Sequence, residues 1–131
     1  MVKTADSEKL SLNLGFVDLG HIDLLVRDGF YSNRSDFIRT AIRNQLTTHA
    51  DVARKSAARL TLELGLRVYG RPELEAIHAS GTRLDIKVLG LATIADDVSP
   101  ELARQTIASI TVLGGFHASP SVRAALAELM H

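Results

Sequence analysis

The hydrophobic pattern begins at Lys9 with strict alternation: Leu10, Leu12 and Leu14 fall on one face of an extended segment, and Lys9, Ser11 and Asn13 fall on the other. A lone strand is marginal in water, and no second strand follows within hairpin distance. The pattern therefore predicts that this strand pairs with the same strand of a second copy. Two segments of helical period come next. Leu19, Ile22, Leu25 and Val26 keep to one stripe of a first helix, with Asp18 as its cap and Gly29 as its left-handed stop. The second opens at Asn33, with Asp36 at capping-box spacing, and its stripe is Phe37, Ile38, Ala41, Ile42 and Leu46. Arg39 and Arg43 lie one turn apart on its outer side.

Residues 49–58 hold good helix formers without Gly or Pro and read as a helical connector. From Arg59 the period changes to two. Leu60, Leu62, Leu64, Leu66 and Val68 alternate with Arg59, Thr61, Glu63, Gly65 and Arg67, which predicts one long strand. A pattern of apolar–x–apolar–x–Val–apolar–Gly then recurs over 64–70, 84–90 and 108–114, at offsets of 20 and 24 residues. Each copy leads to a proline with a helical signal behind it, at Pro72, Pro100 and Pro120, and Ser99 and Ser119 stand as caps before the last two. One strand per unit at this period predicts stacked parallel strands with short crossovers over 72–79 and 99–106. The whole reads as α+β: residues 1–48 a strand-and-two-helix domain, 49–58 the connector, and 59–131 a small β-rich repeat domain, β-solenoid-like or a βα stack. It closes in a helix with Val122, Ala125, Leu126 and Leu129 on one side. The apolar last strand leaves an edge that invites pairing, so this domain is expected to join subunits.

Composition narrows the choices. The chain has 131 residues, 46% hydrophobic, with mean hydropathy +0.10, which fits a chain that buries a core. It has no apolar run of membrane-spanning length, and MVKTADSE lacks the apolar stretch of a signal peptide. Zero cysteines removes disulfides, thiolate metal sites and cysteine nucleophiles, and agrees with a cytoplasmic setting. The histidines, His21, His49, His78, His117 and His131, are scattered, with no pair at helical ligand spacing. Asp96-Asp97 reads as a loop and helix-start charge pair, and Gly114-Gly115 lacks the spacing of a phosphate loop. Neither enzyme nor cofactor chemistry is expected.

Strand, helix, then G-F-Y-S-N-R-S-D-F-I-R followed by A-I-R resembles the ribbon-helix-helix family of DNA-binding proteins, the CopG-like branch in particular. The resemblance covers residues 8 to 47. It implies an obligate homodimer whose paired strands enter the major groove of double-stranded DNA, with Lys9, Ser11 and Asn13 reading bases. It also implies a backbone clamp at Asn33, Arg34 and Ser35, where a helix N-terminus offers unpaired N–H groups. Lys3, in an N-terminal arm, is a further candidate phosphate contact. With one cation on the outward strand face, readout is less guanine-directed than from an arginine-bearing ribbon.

The charge balance sets a condition on that reading. Net charge is zero. Residues 1–50 hold six bases (Lys3, Lys9, Arg27, Arg34, Arg39, Arg43) against six acids (Asp6, Glu8, Asp18, Asp23, Asp28, Asp36). Non-specific affinity, which scales with phosphates neutralised, is expected to be modest. The leading expectation is a sequence-specific transcriptional repressor, dimeric through its ribbon and further associated through residues 59–131, in the cytoplasm at the nucleoid. The alternatives are an antitoxin whose C-terminal part wraps a toxin, and an architectural or partition protein that coats DNA.

Overall fold

A computed structural model describes residues 7–130, so Lys3 and His131 lie outside the described residues. The chain divides into two units, Lys9–Lys55 and a second that runs from Ser56 onward and also takes in Ser7 and Glu8.

In the first unit, residues 9–15 form neither helix nor ladder. Helix α1 runs Phe16–Arg27, and its cap is Gly15, in extended conformation and without a side-chain bond. Asp18, expected as the cap, lies instead in the first turn, where its charge still meets the positive end of the helix. The stop is as expected. Gly29 has φ +85°, and the Gly29 and Phe30 N–H groups return to the Val26 and Leu25 carbonyls at 3.1 and 3.0 Å.

Helix α2 spans Arg34–Thr48 behind Asn33, whose Oδ1 accepts the Asp36 N–H at 2.8 Å. The Asp36 carboxylate reaches back in turn, but to the Ser32 N–H at 2.9 Å, one residue earlier than a capping box would have it. Tyr31 and Phe37 pack edge to face, 5.0 Å between centroids, and hold the turn. The connector is helical, as α3, Ala50–Arg59.

The second unit alternates strand and helix: β1 Glu63–Tyr69, α4 Arg71–Ala79, β2 Leu84–Ile94, α5 Pro100–Thr106, β3 Ile107–His117 and α6 Pro120–Leu126, then a 3-10 turn Ala127–Leu129. The sheet is parallel throughout, in the order β1-β2-β3. Two sequence expectations need correction. The strand expected from Arg59 starts at Glu63, because Arg59 closes α3 and Thr61 turns the chain at φ 54°, so the ladder begins only at Glu63 opposite Val88.

The first repeat offset is also wrong. Gly65 lies beside Gly90 and Gly90 beside Gly114, whereas Gly70 is the cap of α4 and belongs to no strand. The strand counterparts are therefore 64–66, 89–91 and 113–115, each Leu-Gly followed by Leu or Gly. These glycines are required. Gly90 and Gly114 have φ of +141° and +122°, and a Cβ on either would stand on the carbonyl oxygen of the preceding glycine in the row.

One sheet face carries the core. Ile86, Val88, Ala92 and Ile94 of β2 and Ile110 and Phe116 of β3 alternate onto it, against Leu74 of α4, Ala103 of α5, and Val122 and Leu126 of α6. Loops fasten the helices to the strands. Ser99 and Ser119 cap α5 and α6 through the Leu102 and Val122 N–H groups, and Arg83 donates to the Arg104 and Ile107 carbonyls at the end of α5. Asp97 accepts the Arg71 N–H at 3.1 Å, so an acid in the loop after β2 caps α4, a helix that precedes β2 in the chain.

Candidate nucleic-acid interface

The candidate base readers lie in a segment with no alternation of burial. Lys9, Ser11 and Asn13 are all exposed, and so are the leucines between them, Leu10 at 83% and Leu12 at 64% of full accessibility. The expected strand is not formed in the single chain: residues 9–14 belong to no ladder among the described residues. A strand is defined by its ladder, and the one expected here needs a second copy of the chain. The rest of the first unit is equally bare. Ile22 is its one buried hydrophobic side chain, while Phe16, Val17, Leu24, Ile42 and Leu46 of the helices lie open. Three of the five residues of the expected α2 stripe, Ala41, Ile42 and Leu46, are thus exposed; Phe37 and Ile38 are half-buried.

The start of α2 is built differently from a simple phosphate seat. Arg34 and Ser35 open the helix and are exposed, and Asn33 spends its side-chain oxygen on the helix cap. The Arg34 guanidinium is engaged: its Nε and NH2 donate to the two oxygens of Asp23 on α1, both at 2.8 Å. This two-point bond holds the Asp23 carboxyl below the usual carboxylate range and raises the Arg34 pKa further above its ordinary value. Each side chain remains about half exposed, 56% for Arg34 and 51% for Asp23, so the pair is open to exchange. With Asp36 beside it, the seat holds two carboxylates and one cation. Arg39 and Arg43 add exposed positive charge along α2.

Asp23 is the residue that sequence reasoning missed. It lies eleven positions before its partner, across a helix, a turn and a cap, and no periodicity links the two. Opposite charges flanking a tight helix–turn–helix were the available signal.

Elsewhere, no group of three or more His, Cys, Asp or Glu side chains converges among the described residues. His49 ends α2 beside Gln45, and His117 closes β3. No helix among the described residues is long and apolar enough to cross a membrane.

A sequence model of the ribbon-helix-helix transcriptional regulator family matches residues 5–123. The match is wider than the resemblance over residues 8 to 47: it takes in α3, all three strands and the start of α6. Neither curated proteins nor solved structures give a match.

Proposed function

The chain belongs to the ribbon-helix-helix transcriptional regulator family, and on that premise we propose that it is a homodimeric, sequence-specific repressor that reads its operator through paired N-terminal strands. One observation supports this above all. Among the described residues no strand pairs with residues 9–14, which expose Leu10 and Leu12 immediately ahead of helices that leave Phe16, Val17, Leu24, Ile42 and Leu46 open. A two-stranded ribbon with its mate would bury those leucines on the two helix pairs and leave Lys9, Ser11 and Asn13 outward, on an element the major groove admits. The first N–H groups of α2, with Arg34 and Ser35 beside Asn33, would then hold a backbone phosphate at the edge of the ribbon.

In this reading residues 1–48 bind DNA, 49–58 connect, and 59–131 associate copies further. Repression is by occlusion of an operator whose half-sites follow the dimer's two-fold symmetry. An antitoxin role fits less well, because toxin-wrapping tails are disordered until bound, whereas residues 63–126 build a sheet, three helices and a closed core.

Footprinting on the DNA upstream of its own gene, with light scattering of the bound particle, tests the proposal. A short symmetric footprint holding two or four chains is expected. A footprint that lengthens with protein concentration would mean that the protein coats DNA, and no footprint at all would sink the repressor reading.

A further inference from the structure

We infer that the leucine face of the three-stranded sheet is covered by the chain's own N-terminal segment, residues 1–6, continuing onto it from Ser7 and Glu8.

Helices α4, α5 and α6 all pack on the face that carries Ile86, Val88 and Ile94. The opposite face keeps an apolar pattern of its own. Register aligns Leu64, Leu89 and Leu113 in one row across the sheet and Leu66 with Leu91 in the next. Leu64, Leu66 and Leu113 are 84%, 67% and 49% exposed. Parallel sheets occur almost only with both faces covered, so a leucine face of this kind calls for a cover.

The course of the chain supplies one. Ser7 and Glu8 line the same cavity, about 810 Å³, as Leu64, Leu66, Leu89 and Leu91. The segment that precedes Ser7 is therefore delivered to these leucines by its own peptide bond. It has six residues, Met1 to Asp6. Extended, six residues reach about 20 Å, and three neighbouring strands span about 10 Å from the first to the last. The segment is long enough to cross the whole face.

Its chemistry fits the surface. Met1, Val2 and Ala5 bring apolar side chains to the leucine rows, and a methionine adapts to irregular gaps. The polar positions fit the rim. His117 and Arg123 line the cavity together with Glu8. Arg123 gives one hydrogen bond to the Phe116 carbonyl, at 2.7 Å, and a guanidinium carries five donors, so others remain for the carboxylates of Asp6 and Glu8. Docking of this kind needs no second copy. A short tether holds the segment at an effective concentration of order millimolar, far above that of a separate chain in dilute solution.

Leucine methyl NMR on the full-length chain, with a soluble nitroxide as the probe of exposure, tests the inference. In wild type the methyls of Leu64, Leu66 and Leu113 should be shielded from the probe, at every protein concentration. Val2→Asp/Ala5→Asp sets two carboxylates into the apolar contact and should raise the undocked population at least about tenfold, so that the probe broadens the same methyls. Face leucines that the probe reaches freely in wild type overturn the inference. Shielding that survives Val2→Asp/Ala5→Asp overturns it too, because another part of the molecule then covers the face. So does shielding that is lost on dilution, which would give the face to a second copy. Circular dichroism verifies that the double variant is folded; if it is not, removal of residues 2–6 gives the same comparison.

Discussion

Three side chains carry the residue-scale consequences. Asn13→Ala removes a proposed base contact and should cost about 1–3 kcal/mol at the operator while relaxing discrimination at one position of each half-site. Competition binding against single-base operator variants would read this, and unchanged discrimination would mean that the strand is not the reader. Arg34→Ala should weaken binding to all sequences alike, with a shallower salt dependence. Asp23 sharpens that prediction, because its carboxylate and a DNA phosphate compete for the same guanidinium. Asp23→Asn should therefore strengthen non-specific binding and steepen the logarithmic salt slope by about one; weaker binding would show that Asp23 positions Arg34 and does not compete for it. The pair also has a pH signature. The Asp23 pKa is lowered in the folded chain, so its contribution is present above the ordinary carboxylate value and is lost as acid carries the pH through the folded one. An NMR titration of the Arg34 Nε–H should follow that transition and lose it in Asp23→Asn. None of this was legible from spacing, because the turn that folds α1 back on α2 decides which acid meets which base.

At the scale of elements, the chain is firmest where local signals agree. Ser-Pro at 99–100 and 119–120 starts helices, and Gly29 stops one, as the sequence indicates. Each repeated segment contains or overlaps a strand, but the register between strands was misjudged for the first. The pattern scored Gly70 as a strand glycine, while pairing depends on which backbone groups meet, and Gly65 is the one beside Gly90. The glycine row gives a direct test. Gly90→Ala places a Cβ on a backbone oxygen at a φ that side chains rarely adopt, so it should destabilise the second unit by at least about 2 kcal/mol. Chemical denaturation would measure it. Gly81→Ala is the control: φ there is +74° but nothing lies within reach, so only the backbone strain, about 1 kcal/mol, should appear.

The whole molecule is two units with different degrees of self-sufficiency. The second closes a core of thirteen buried apolar side chains drawn from every strand and helix after α3. The first buries one. A domain that buries so little apolar surface cannot offset the entropy of ordering its chain, so its folding is expected to be coupled to pairing with another copy. Its melting temperature should rise with protein concentration, whereas that of a chain carrying Leu12→Lys should not rise through the ribbon. The balanced charge belongs to the same scale. With as many acids as bases, attraction to DNA rests on where charge is placed, and specific binding should outlast non-specific binding as salt is raised.

The helices on either side of Gly29, the Gly29 stop and the proline-started helices were settled by the sequence alone, since they depend only on side-chain period and local backbone preference. The family was legible in the same way, from contiguous residues around Asn33 to Arg43. The three-dimensional structure decided what depends on groups distant along the chain. It set the glycine register, because ladder pairing joins backbone groups some two dozen residues apart. It set the Asp97 cap on α4 and the Asp23–Arg34 pair, because loop closure brings those charges together. It also decided which leucines stay exposed, because all three βα helices settle on one side of the sheet, away from Leu64, Leu66 and Leu113.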